Sequence, residues 1–286
     1  MDKKIKHLGK LKGKVLLFGG VYSNLQALEG LIQLAKDKDI DPQNCICTGD
    51  IVGYCAEPKE TVQLFQEWGA QSISGNVELQ LSAAADDCGC DFAQGSSCDG
   101  FSKVWYPYAK RKLLQQAIDW MAQLPDQITF DYYQERIMVV HGSTNMVSEF
   151  IFESTPIARK KKSFETLESD VIIAGHSGLP FHQKLENKLW INAGAIGMPA
   201  NDGTPRTWCV LMQKTEKGIE YAYHKIVYDF KKAHKNMVSE RLPIEYAQTL
   251  ISGLWHNMDI LPEAEKRLKG IPYNFENKEE NKYKTI

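Results

Sequence analysis

Short apolar runs alternate with helix-patterned stretches along the first third of the chain. Lys14–Phe18 is an apolar run that stops at Gly19-Gly20, which suits a buried strand followed by a tight turn. Ser23 or Asn24 then offers a cap for a helix whose Leu25, Leu28, Leu31, Ile32 and Ala35 share one face. Asn44–Thr48 reads as a second strand ending in Gly49-Asp50, Thr61–Trp68 as a helix, and Gln71–Ser74 as a third strand ending in Gly75-Asn76. This strand–helix–strand alternation predicts a mainly parallel sheet with functional groups at the carboxyl ends of its strands.

Further along, Tyr108–Leu124 has continuous helical spacing and stops at Pro125. Gln127–Asp131 and Arg136–Val140 predict an antiparallel pair, the second member ending in His141-Gly142. Asp170–Ala174 is another buried strand, ending in Gly175-His176. The shorter strands Phe181–Leu185, Lys188–Asn192, Arg206–Met212 and Ile219–His224 then predict a second, more antiparallel sheet, and helices close the chain between Asp229 and Leu268. The pattern implies one domain over residues 14–270 with a Gly/Asp/Ser-rich insertion at about 86–103. A basic segment, 1–13, precedes it, and a frayed Asn/Lys/Glu-rich tail, 271–286, follows.

A chain of 286 residues with 43% hydrophobic residues can bury one large core. Its net charge of −2 supplies no global basic field for a nucleic-acid polymer or a membrane. Six lysines do fall in the first fourteen residues, but no aromatic residues interleave with them, so they read as a solvated start. No apolar run of signal-peptide type follows them, and no stretch approaches the ~18 apolar residues of a membrane span. A cytoplasmic protein is expected, and the odd count of seven cysteines makes disulfides a poor default there.

Five strand ends each stop at a polar residue beside glycine: Gly20 to Asn24, Gly49-Asp50, Gly75-Asn76, His141-Gly142 and Gly175-His176. Glycine lets the backbone turn tightly under a ligand, while Asp, Asn and His supply hard oxygen and imidazole donors. Each pair alone is a common turn; all five in order are not. With Thr48-Gly49-Asp50-Ile51-Val52-Gly53-Tyr54, Gly75-Asn76-Val77-Glu78, Val140-His141-Gly142-Ser143 and Gly175-His176-Ser177-Gly178, the chain resembles the calcineurin-like metallophosphoesterases. The likeness is to their small bacterial phosphodiesterase and phosphatase-like branch. Ile191-Asn192-Ala193-Gly194-Ala195-Ile196-Gly197 and Pro205-Arg206 continue it, from roughly Val15 to Leu211.

The resemblance implies a four-layer α/β/β/α sandwich of two mixed sheets. It also implies a metal held by Asp50, Asn76, His141 and His176, with Asp50 and His141 in the chemistry and Tyr22, Asn24, Tyr54 and Glu78 near the substrate. The family's other metal would use the positions of Gly20, Tyr22 and Gly178 together with Asp50, so only the shared ligand remains there. Its proton-donating histidine is Val77 here. Two divalent ions on one carboxylate would leave about +3 in a small volume, whereas one leaves about +1. The expected cofactor is therefore one divalent ion (Mn, Fe, Zn or Mg), and the expected activity a weak hydrolysis of a small phosphoester or nucleotide. The alternatives are a non-catalytic relative that binds a phosphorylated ligand or protein partner, and a metal or redox sensor built on the insertion. Cys88, Cys90 and Cys98 would form that second metal site with Cys55 or a histidine, although Cys-x-Cys departs from the usual Cys-x₂-Cys spacing.

Overall fold

A computed structural model of the chain describes residues 3–90, 95–165 and 168–275. Its strands are β1 (Ile5–Leu11), β2 (Val15–Phe18), β3 (Cys45–Cys47), β4 (Gln71–Ser72), β5 (Gln127–Tyr132), β6 (Glu135–Val139), β7 (Val171–Ala174), β8 (Phe181–Leu185), β9 (Lys188–Asn192), β10 (Thr207–Thr215) and β11 (Gly218–Ile226). The helices are α1 (Leu25–Asp37), α2 (Pro58–Trp68), α3 (Asn76–Ser82), α4 (Ser97–Lys112), α5 (Gln115–Met121), α6 (Ile157–Glu165), α7 (Phe230–Ser239), α8 (Ile244–Ser252) and α9 (Glu263–Lys266). The strands make a six-stranded sheet, β1-β5-β6-β7-β9-β8, and a five-stranded sheet, β11-β10-β2-β3-β4.

Alternation along the central strands sets the layers, because successive side chains of a strand point to opposite faces. In β2, Val15 and Leu17 join the apolar core between the sheets, while Leu16 and Phe18 join a second core under α1, α2, α4, α7 and α8. In β7, Val171 and Ile173 face the inter-sheet core, while Ile172 and Ala174 pack on the other side near Phe164 of α6. The result is helices, sheet, sheet, helix, the α/β architecture with two mixed sheets expected from the motifs. The parallel β2-β3-β4 and β6-β7-β9 ladders place their carboxyl ends together, and the chemistry follows from that edge.

Five local expectations change. Residues 5–11 of the basic start form β1, an edge strand running parallel to β5, because Ile5, Leu8 and Leu11 are half-buried while the residues between them stay in solvent. The four later strands do not make one sheet: β9 continues the first sheet beside β7, and β10 pairs antiparallel with β2 in the other. The helix over 108–124 is two helices, since Leu113 and Leu114 adopt extended backbone; one apolar periodicity passes across the break. α4 also begins within the 86–103 insertion, whose residues 91–94 lie outside the described residues. At the carboxyl end, Tyr273 and Phe275 of the tail pack onto the inter-sheet core, with the Phe275 ring 4.2 Å from Tyr223; residues 276–286 lie outside the described residues.

Candidate functional site

Asp50 follows β3, Asn76 opens α3 after β4, and His141 and His176 follow β6 and β7. All four are buried. His141 Nδ1 lies 2.7 Å from the Thr48 carbonyl oxygen, which can only accept, so Nδ1 carries a hydrogen and Nε2 turns inward. Around that Nε2 stand Asp50 Oδ2 at 3.3 Å, Asn76 Oδ1 at 3.0 Å and His176 Nδ1 at 3.0 Å. The Asn76 amide is oriented by its own donors, since Nδ2 donates to the Cys88 carbonyl at 2.8 Å and to Cys90 Sγ at 3.2 Å. Four acceptor atoms thus converge with at most one proton to share among them.

The backbone that holds them is strained. Asp50 and His176 sit at φ 58° and 52°, in the left-handed region that non-glycine residues seldom occupy and that costs about 1–3 kcal/mol each. Gly75 passes so close to Asp50 that a Cβ there would lie 2.1 Å from Asp50 Oδ1. Glu78 ties the loops together: its carboxylate accepts from the backbone N–H of Asp50 (2.8 Å), Gly75 (2.8 Å) and Val52 (3.2 Å).

Charge distribution follows from this packing. Burial alone would push the Asp50 carboxyl up, but His141, with His176 behind it, brings it below its ordinary value. Burial likewise opposes a charged His141, and the Asp50 carboxylate against it more than reverses that, so the imidazole titrates above its ordinary value. His176 is driven down to about 3 by burial and by its neighbour His141, which keeps it neutral. Its ring is also held by a hydrogen bond with the Ser148 backbone, which acts in the opposite direction. Glu78 is pushed up to about 7 by burial and then by Asp50.

This donor set fits a divalent cation. One carboxylate oxygen, one amide oxygen and two imidazoles are the hard and borderline ligands such ions take. Donor atoms 3.0–3.3 Å apart match neighbouring ligands on bonds of about 2.1 Å. Asp50, His141 and His176 offer atoms within 4.8 Å of one another, and among the described residues they are the one such group of three or more His, Cys, Asp or Glu. Cys88 Sγ and Cys90 Sγ are 2.8 Å apart, and among the described residues no third His, Cys, Asp or Glu donor joins them.

Beside the donors lies a pocket lined by Tyr22, Tyr54, Phe150, Tyr246, Trp255 and His256, with Asp50, His176 and Cys90 at its floor. Tyr22 and Tyr54 both line this pocket. Asn24 and Glu78 are not on the wall. Asn24 is a helix cap, its Oδ1 accepting from Ala27 N and its Nδ2 donating to the Gly197 carbonyl, and Glu78 is used up by the three amides above. Sequence reasoning missed Thr48, which orients His141, and the whole wall contributed by Phe150, Tyr246 and Trp255. Thr48 stands two residues before Asp50 in the quoted motif, so that signal was available; the wall residues belong to no motif.

The structure also shows what stands at Gly20, Tyr22, Gly178 and Val77, where the motifs depart from the resemblance. At Gly20 a Cβ would fall 2.3 Å from Tyr22 Cζ, so the Tyr22 ring, set by a backbone φ of 53°, covers Gly20. At Gly178 a Cβ would face the Trp255 ring at 3.7 and 3.8 Å. Val77 is fully buried in the apolar core, so it brings no polar group to the site.

Comparison with known proteins gives the family. Residues 14–216 match the calcineurin-like phosphoesterase superfamily domain. The chain is 24% identical over 263 residues to the protein MJ0912 of Methanocaldococcus jannaschii, covering 85% of this chain and 99% of that one. Among solved structures, a metallophosphoesterase from Sphaerobacter thermophilus superposes with a TM-score of 0.66 at 20% identity, covering 85% of this chain and 100% of that one. The protein PH1004 from Pyrococcus horikoshii OT3 gives 0.70 at 19% identity, with 85% and 99% covered. At these identities the structural likeness establishes the fold.

Proposed function

From the premise that the chain belongs to the calcineurin-like phosphoesterase superfamily, we propose that it is a metal-dependent phosphoesterase working with one divalent ion on Asp50, Asn76, His141 and His176. The observation that carries the reading is the convergence of four acceptor atoms on one buried point, with His141 Nε2 facing Asp50, Asn76 and His176 at 3.0–3.3 Å. When bound, a divalent ion there supplies Lewis-acid polarisation of a phosphoryl oxygen and a lowered pKa for water. The chain's own residues do the rest. Thr48 fixes the His141 tautomer, Glu78 and the Gly75 turn fix Asp50, and the Tyr22 and Tyr54 rings line the pocket beside Asp50 and His176.

With valine at position 77, no side chain there protonates a leaving group, and loss of such a donor typically forfeits ~10²–10⁴ in rate. The activity is accordingly weak and favours good leaving groups. The same observation favours the second reading, a ligand-binding relative without turnover. Metal content of the purified chain and hydrolysis of p-nitrophenyl phosphates with Mn²⁺ separate the two. The hydrolase reading expects bound metal and turnover that Asp50→Ala abolishes. Bound metal without turnover gives the binding protein, and a rate on alkyl phosphates equal to that of dinuclear enzymes overturns the single-ion reading.

A further inference from the structure

The space where a second set of metal ligands would stand is occupied by aromatic rings. The Tyr22 ring covers Gly20, and the Trp255 ring faces Gly178. Both rings are held in place. Tyr22 N donates to the Asp50 carbonyl at 3.1 Å, while Trp255 Nε1 donates to the Pro199 carbonyl at 2.7 Å and Trp255 N to Asn201 Oδ1 at 2.8 Å. The wall continues edge to face, with Tyr22 and Tyr54 centroids 4.6 Å apart and Tyr54 and Tyr246 4.9 Å apart. Opposite, Phe150 packs on the His176 imidazole at 4.3 Å. Rings interlocked in this way make a preformed surface that needs little ordering when a flat ligand arrives.

Charge narrows the occupant. Among the described residues lining the pocket there is no lysine or arginine, and Asp50 is the one carboxylate. In the metal-free protein, a phosphate dianion or a polyphosphate, ordinarily met by such cations, finds none of them on this wall. The cavity volume of about 80 Å³, where one water needs about 10–15 Å³, admits one small group beside the donors. Tyr246 and Trp255 lie beyond residue 216, where the family match ends, so part of this wall comes from the carboxyl-terminal segment.

We propose that the pocket is a subsite for a planar aromatic group, and that its ligand is a singly charged phosphodiester bearing that group. The inference rests on the phosphoester reading above for the phosphoryl end of the ligand. The test is equilibrium binding to the full chain, chelated and with Mn²⁺, using methyl phenyl phosphate, dimethyl phosphate, phenyl phosphate and cyclic 3′,5′-AMP. In the chelated protein, methyl phenyl phosphate should bind at least tenfold tighter than dimethyl phosphate and tighter than the phenyl phosphate dianion. Trp255→Ala should cut the aryl-over-alkyl preference to within threefold, and Trp255→Phe should keep most of it. Equal affinity for the aryl and alkyl diesters in the unaltered chain overturns the proposal without recourse to any variant. So does a preference that survives Trp255→Ala in protein of unchanged Tm. Tighter binding of phenyl phosphate overturns the charge assignment. A nucleobase source is assigned if cyclic AMP binds tighter than methyl phenyl phosphate, a simple aryl source if it does not. Aryl-selective binding with no hydrolysis of bis(p-nitrophenyl) phosphate under Mn²⁺ removes the hydrolase reading and leaves this one standing. Hydrolysis with equal affinity for aryl and alkyl diesters does the reverse.

Discussion

Replacing Gly75 with alanine should loosen the donor set by a purely steric route. Gly75 has φ −87° and ψ −177°, an extended backbone that any residue adopts, so alanine carries no conformational penalty there. Its Cβ would nevertheless lie 2.1 Å from Asp50 Oδ1, 2.6 Å from Asp50 N and 2.8 Å from Asp50 Cγ. Even a tight contact needs 3.0 Å, so the two loops must part by roughly 1 Å, a misplacement that can cost ~10²-fold in rate at a reacting centre. The parting acts directly on the 3.3 Å contact from Val77 N to Asp50 Oδ1 and on the Glu78 bonds to the Asp50 and Gly75 amides. Overpacking of this kind costs about 1–3 kcal/mol, which at about 2–4 °C per kcal/mol lowers Tm by about 2–12 °C. Calorimetric titration of the chelated protein with Mn²⁺, alongside thermal melts, reads both effects. The expected outcome is a lower Tm with at least tenfold weaker Mn²⁺ binding. An alanine variant that binds Mn²⁺ within twofold of the unaltered chain refutes the claim that this close approach positions Asp50.

Three further outcomes follow from the packing. Leu17→Ala, in the core between the sheets, should cost about 2–5 kcal/mol in chemical denaturation, since a buried cavity adds to the lost transfer energy; a cost under 1 kcal/mol would contradict the layering. Lys160 is buried, its Nζ donating to the Glu153 and Thr155 carbonyls at 2.9 and 2.7 Å, and burial pushes it down to about 8. Between pH 8 and its unfolded value near 10.5, the unfolded chain still binds a proton there that the folded chain has released. This group's contribution to stability therefore rises with pH across that window, and the slope of stability against pH should fall in Lys160→Met; identical slopes would refute the assignment. Deleting residues 1–13 should lower Tm, because Lys4 bonds both ways with Asp126 and β1 covers the edge of β5; an unchanged Tm would mean that the strand contributes nothing.

The donors were legible because each ends an apolar run with a glycine beside it, and strand ends that share one edge bring such residues together whatever lies between them. Local pattern also located β2, β3, β5, β6 and α1 closely. What escaped has a common cause. The division of β8 to β11 between two sheets depends on which neighbour each strand meets, β7 or β2, and no local period encodes that. Tyr246 and Trp255 sit in an ordinary amphipathic helix and the loop after it, and only tertiary closure carries Tyr246 to Tyr54 and Trp255 to Gly178. Lys160 belongs to the basic run Arg159–Lys162, yet its Nζ finds two carbonyls inside the fold. Asn24 and Glu78 occupied motif positions but serve the backbone: Asn24 caps α1, and Glu78, in the first turn of α3, reaches back to three amides.

The lysine-rich start has one more effect, on how copies of the chain treat each other. β1 is the outermost strand of the six-stranded sheet, and an outermost strand offers a row of unpaired amides and carbonyls to any passing chain. Here that row carries Lys6 and Lys10 in solvent, flanked by Lys3, Lys4 and Lys12. A second copy approaching to extend the sheet would bring the same charges against them, so repulsion guards the one long edge of that sheet against growth into fibrils.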